Sequence, residues 1–199
     1  MTADLGPATG VLAALVRPLP GDLLTAPTPC GFTLGELLDH IDGLCVAFTA
    51  AATKTRLEGG GRARTPDASR LGDDWRERVP ARLEELARAW REPSAWTGDT
   101  EVGGGTMPGA IAGAAAVDEI VVHGWDLAVA TGRPYPAGDP ALEEAVREAY
   151  AWVTTVVAQA PEGSPGLFGP PVPVPGDAPL LDRLLGLTGR DPAWTPAAP

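Results

Sequence analysis

Between the glycine run Gly103–Gly105 and the break at Gly132 and Pro134, the stretch from Met107 to Thr131 is apolar almost throughout. A segment of that length without the two-residue alternation of a strand reads as a helix, and a helix apolar on every side is stable only when other helices surround it. Its middle, AAAVDEIVVHGWDLAVATG, nevertheless carries Asp118, Glu119, His123 and Asp126 where a buried helix would favour Ala or Leu. An unpaired carboxylate or imidazole costs several kcal/mol to bury, so these groups need partners or a metal ion.

The rest of the chain supplies the surrounding helices. A first helix is expected over about Leu5 to Val16, stopped by Pro18 and Pro20. Thr33 and Glu36 form a T-x-x-E capping box, after which Leu34, Leu37, Leu38, Ile41, Leu44, Cys45 and Phe48 recur at helical spacing to about Thr53. EGGGRARTPDAS has the composition of a mobile linker. Trp75, Val79, Leu83, Leu86, Ala87 and Trp90 mark a further helix, bent early by Pro80. Thr106 is the expected N-cap of the apolar helix, and Asp139 with Pro140 opens a last long helix through about Gln159. The 22 prolines and 25 glycines fall mainly in connections, and strand signals are weak. The fold class expected is therefore all-α, a helical bundle at residues 1–160. A proline-rich C-terminal extension at 161–199, with one short helix near Leu180 to Leu187, is expected to pack on it.

Charge and composition remove several function classes. A net charge of -11 leaves no basic surface for a phosphate backbone, so no nucleic-acid partner is expected. MTADLGPATG lacks the basic start of a signal peptide, and no run reaches the ~20 uninterrupted apolar residues of a membrane span. A cytoplasmic location without membrane contact is the expectation. In that compartment Cys30 and Cys45 are read as free thiols, Cys45 as a small core residue, and neither is counted as a ligand.

At about 100° per residue, Glu119, His123 and Asp126 fall within roughly a 60° sector of the apolar helix, while Asp118 points about 100° away from Glu119. The E-x-x-x-H spacing places a carboxylate and an imidazole one turn apart, as a helix offers two ligands to one ion. The only other histidine, His40, lies on the capped helix at the edge of its buried face. If those two helices pack together, His40, Glu119 and His123 form a His₂Glu set with a position left open, the pattern of catalytic zinc sites. Asp126 is then a second carboxylate to hold an imidazole or a water, and the candidate catalytic group. The same spacing also fits a hydrogen-bonded core pair without any ion.

The segments PTPCGFTLGELLDHIDG, DEIVVHGWDLAVATG and GLFGPPVPVPGDAPLLDRLLGLTGRDPAW, in that order, resemble a family of actinobacterial metal-binding proteins related to the N-terminal domain of mycothiol-dependent maleylpyruvate isomerase. That family falls within the DinB-like superfamily of four-helix bundles. The resemblance implies a DinB-like four-helix bundle with an additional helix. It puts the family's L-x-x-H histidine on His40 and its E-x-x-x-H pair on Glu119 and His123. It also implies a divalent metal, zinc first and nickel as the alternative, and mycothiol as co-substrate. The function expected is a metal-dependent thiol transferase or isomerase acting on a small electrophile, with a homodimer as one assembly open to it. A hydrolase or lyase that activates water, and a module that only holds a metal or small ligand, are the competing expectations.

Overall fold

The computed structural model describes residues 3–164 and 167–196. Its helices are α1 (Gly6–Val16), α2 (Leu34–Ala52), α3 (Trp75–Trp90), α4 (Gly109–Ala130), α5 (Pro140–Gln159) and α6 (Leu180–Leu187). A two-stranded antiparallel hairpin, β1 (Asp99–Val102) and β2 (Gly105–Pro108), precedes α4.

The first four helices close a ring in which α1 and α2 each pack against both α3 and α4. This is the all-α four-helix bundle expected for a DinB-like chain. α5 covers the outer side of α4 and also touches α1, and α6 packs on α5. α4 is thus enclosed by α1, α2 and α5, which is why it is apolar on every side: Ile120, Val121, Leu127 and Ala128 are all fully buried. α6 adds Leu181, Leu184 and Leu185 to the same continuous core.

Two local expectations are corrected. Thr106 does not cap the apolar helix, and Met107 is not in it. They pair with Glu101 and Thr100 across the hairpin, and α4 begins at Gly109. Gly103 and Gly104 have φ of +65° and +82°, the left-handed backbone that a two-residue hairpin turn requires, so the glycine run folds the chain back instead of only interrupting it. The glycine-rich segment expected to be a mobile linker is docked. The Gly103 and Gly104 N–H groups donate to the Gly61 and Gly60 carbonyls at 3.1 and 3.0 Å, and Arg70 Nη2 donates to Asp39 of α2 at 2.6 Å. The Gly60 and Gly61 carbonyls find their donors in the hairpin turn, which composition could not show.

The capping box at the start of α2 forms as read. Glu36 N–H donates to Thr33 Oγ1 at 3.3 Å, and Thr33 N–H donates to Glu36 Oε2 at 2.8 Å. Thr33→Ala is expected to cost about 1 kcal/mol. Chemical denaturation of the variant beside the parent checks this, and an unchanged midpoint would show that the cap contributes nothing.

A candidate metal centre between α2 and α4

His40 stands on the second turn of α2, with Glu119 and His123 one turn apart on α4, and the packing of α2 against α4 brings the three together. His123 Nε2 lies 3.1 Å from Glu119 Oε2, and His40 Nε2 lies 3.8 Å from the same oxygen. The two imidazoles meet edge to face, with ring centres 5.0 Å apart. The ligand atoms of all three residues lie within 4.8 Å of one another. A tetrahedral zinc bound at about 2.0–2.1 Å would separate neighbouring donors by about 3.3 Å, and the two measured separations bracket that value. One nitrogen from each imidazole and one carboxylate oxygen make a donor set suited to zinc or a similar first-row ion. The residues present fit the group.

Behind His123 a buried relay fixes its orientation. Its Nδ1 is 2.9 Å from Asp126 Oδ2, and Arg190 Nη2 donates to that oxygen at 3.2 Å. Asp126 is 0% exposed and lies on the far side of the ring from Nε2. With Nδ1 donating to a carboxylate, Nε2 is the nitrogen left free for an ion. Asp118, on another face of α4 as its helical angle required, is 1% exposed, and its Oδ1 has no partner among the described residues. Burial drives its carboxyl well above the ordinary range, which favours the neutral acid.

The charges of the metal-free cluster follow from these contacts. Burial alone would favour neutral Glu119, but hydrogen bonds and charge from His123 and His40 outweigh it and hold the carboxyl below its ordinary range. Burial likewise opposes a charged His123, yet hydrogen bonding to Asp126, Cys30 and Glu119 raises its pKa well above the usual 6.5. Asp126 is also depressed, with His123 and Arg190 overcoming its desolvation. Without an ion, these contacts favour the charged forms of both His123 and Glu119.

The cluster opens onto a cavity of about 410 Å³ walled by Cys30, Phe32, Phe168, Thr188, Gly189 and Arg190. The turn that carries Cys30 is built by PTPCGF: Thr28 N–H and Oγ1 both donate to the Phe32 carbonyl, Gly31 takes φ +84°, and Phe32 then packs on His40 with rings 5.8 Å apart. The sequence reading missed two contributors here. Cys30, not counted as a ligand from sequence, lines the cavity and shares a second possible ligand group with His123 and Asp126. Arg190 carries no local signal, because its partner Asp126 lies far away in sequence and GRDP alone does not reveal the contact. Cys45 is a buried core thiol, 1% exposed, with its pKa driven up by desolvation. Both cysteines are free. Trp125 is core, and Trp152 is a half-buried rim residue against Phe168.

Fold and site together define a class: a helical bundle with a candidate ligand set between facing helices, open to a cavity. The chain matches the family model described as the mycothiol maleylpyruvate isomerase N-terminal domain over residues 5–128, more than half its length, and belongs to that family. No curated protein matches the chain. No solved structure does either. The matched region contains His40, Glu119, His123, Asp126 and Cys30, whereas Phe168, Thr188, Gly189 and Arg190 lie beyond it. Among the described residues, no helix is long and apolar enough to cross a membrane.

Proposed function

We propose that this protein is a metal-dependent enzyme in which His40, Glu119 and His123 hold a divalent ion, zinc in first place, and a low-molecular-weight thiol, mycothiol, attacks a small electrophile. The observation that carries this reading is the convergence of both imidazole Nε2 atoms on one oxygen of Glu119 at the wall of an open cavity. A bound ion would supply the positive charge that keeps a thiol of ordinary pKa ~8.5 as its thiolate at neutral pH. The protein's own groups do the rest. Asp126 keeps the His123 ring in the tautomer that leaves Nε2 free, Arg190 keeps Asp126 ionised, and Phe32 and Phe168 line the cavity that the cluster faces. Asp126 is thus a positioning residue in this reading, with no access to the cavity.

The test begins with elemental analysis of protein purified without a metal-affinity tag, followed by turnover of model electrophiles with and without mycothiol. One ion per chain and turnover that needs both ion and thiol are expected. Turnover at the same rate without thiol would assign the nucleophile to water. An ion without turnover for any thiol and electrophile pair would reduce the protein to a binding module. Asp126→Asn is expected to weaken metal binding by about 10- to 100-fold at unchanged saturating stoichiometry, because the amide no longer enforces the tautomer. Competition against a chelator measures it, and an unchanged affinity would remove Asp126 from the site.

A further inference from the structure

Besides His40, Glu119 and His123, the 410 Å³ cavity is lined by the apolar side chains of Phe32, Leu167 and Phe168 and by the polar ones of Cys30, Thr188 and Arg190. We infer that the electrophile taken here is uncharged, with an aromatic body that packs on Phe32 and Phe168, and that carboxylate-bearing compounds are refused. This rests on the thiol-transfer reading above and names its substrate class.

The polar side chains of the wall are already engaged with the protein itself. Among the described residues, Arg190 is the only lysine or arginine that lines the cavity. Its Nη1 donates to the Thr188 carbonyl at 2.8 Å and its Nη2 to Asp126 at 3.2 Å, while its Nε is buried out of reach of anything in the cavity. Its charge is met by Asp126. Thr188 Oγ1 donates to the Leu185 carbonyl at 3.0 Å. Thr28 Oγ1 gives its one proton to the Phe32 carbonyl, so in its 3.1 Å contact with Cys30 the thiol is the donor. A carboxylate entering the cavity would therefore leave its water without finding a side-chain donor on this wall, and it would meet the ionised Glu119 at the cluster. An uncharged ring gives up no such hydration.

The apolar part of the wall is held in place from outside. Phe32 packs on His40 and Phe168 on Trp152, each pair with ring centres 5.8 Å apart, so two fixed aromatic rings from distant parts of the chain meet the same space. A third ring gains from tilted or offset contact with such neighbours as well as from its own burial. Size agrees, because an apolar cavity of about 150 Å³ takes one benzene. At 410 Å³ the space admits one substituted ring beside the sulfur of a thiol. Leu167, 44% exposed, stands at the rim.

The probes are acetophenone and benzoate, a pair of nearly equal shape that differ in charge. They are titrated by ligand-observed NMR into the full chain at neutral pH after removal of metal, so that the carboxylate cannot simply ligate an ion. Acetophenone is expected to bind more tightly than benzoate by about tenfold. Phe32→Ala, which removes one ring of the wall, is expected to weaken acetophenone by about fivefold. Leu167→Arg places a free guanidinium at the exposed rim and is expected to reverse the order of the two probes. No binding of acetophenone by the parent, benzoate bound as tightly as acetophenone, or an order unmoved by Leu167→Arg would overturn the inference. Acetophenone binding that follows these variants, in a protein without thiol-dependent turnover of any electrophile, would leave the cavity's preference standing and overturn the enzymatic reading instead.

Discussion

On the proposed metal-dependent reading, His123→Ala is expected to abolish ion binding and thiol-dependent turnover while the helical content of the protein stays unchanged. The substitution removes one of the three donors, and with it the edge-to-face partner of His40. The helix is retained because Ala improves intrinsic propensity by a few tenths of a kcal/mol at a position enclosed by α1, α2 and α5. The pH dependence separates a metal site from a core pair. In metal-free protein the His123 pKa is raised above its unfolded value of about 6.5, so its contribution to stability is complete below that value and is lost as pH rises through the higher folded value. The ion must displace that proton, so metal affinity moves the other way, weakening as pH falls through the raised pKa. Metal-free parent should therefore lose stability relative to His123→Ala as pH rises through that window, whereas metal-loaded parent gains over metal-free parent. Thermal unfolding of the metal-free and metal-loaded parent and of the variant, measured across that range, reads both trends. A variant that retains one ion per chain at parental affinity would sink the ligand set, and a parent whose stability ignores added ion at every pH would sink the site.

The parts of this molecule that were legible in the sequence are those written in local signals. Thr33 and Glu36 fixed the start of α2 to the residue, because a capping box satisfies backbone donors within one turn. The 3.6-residue period placed Glu119, His123 and Asp126 on one face of α4 and Asp118 on another, and the structure keeps that division. The hairpin before α4 was also written locally, in the Gly103–Gly104 pair flanked by Val102 and Gly105, but four-residue strands carry too little alternation to stand out. Cys30 and Arg190 belong to a different kind of information. Neither has a spacing rule that ties it to His123, and both reach the site only through tertiary packing, Cys30 on a turn tightened by Thr28 and Gly31, Arg190 on the segment after α6. The docked segment Glu58–Gly61 belongs with them, since its partners are the carbonyl-seeking N–H groups of a turn distant in sequence.

Arg190 shows how such a tertiary contact carries free energy. It is 8% exposed, its Nη1 donates to the Thr188 carbonyl at 2.8 Å, and its Nη2 donates to the fully buried Asp126. Burial disfavours its charge, and the Asp126 carboxylate more than restores it, so the pair is ionised on both sides. Arg190→Leu removes the cation and leaves Asp126 charged in the core, with His123 as its remaining partner. Breaking a buried pair from one side costs roughly 3 to 5 kcal/mol, which for a chain of this size is a melting temperature lower by about 10 °C. The loss should also loosen the wall formed by Thr188 and Gly189, so that metal affinity falls as the Asp126 contact to His123 loses its anchor. Loss of packing alone would give a similar drop, and a double variant tells the two apart. In Arg190→Leu with Asp126→Asn, the stranded charge is gone while the shape around it is nearly kept. If buried charge sets the cost, the double variant is more stable than Arg190→Leu alone. If packing sets it, the second substitution recovers nothing, and the pair is then not what fastens the C-terminal segment to α4.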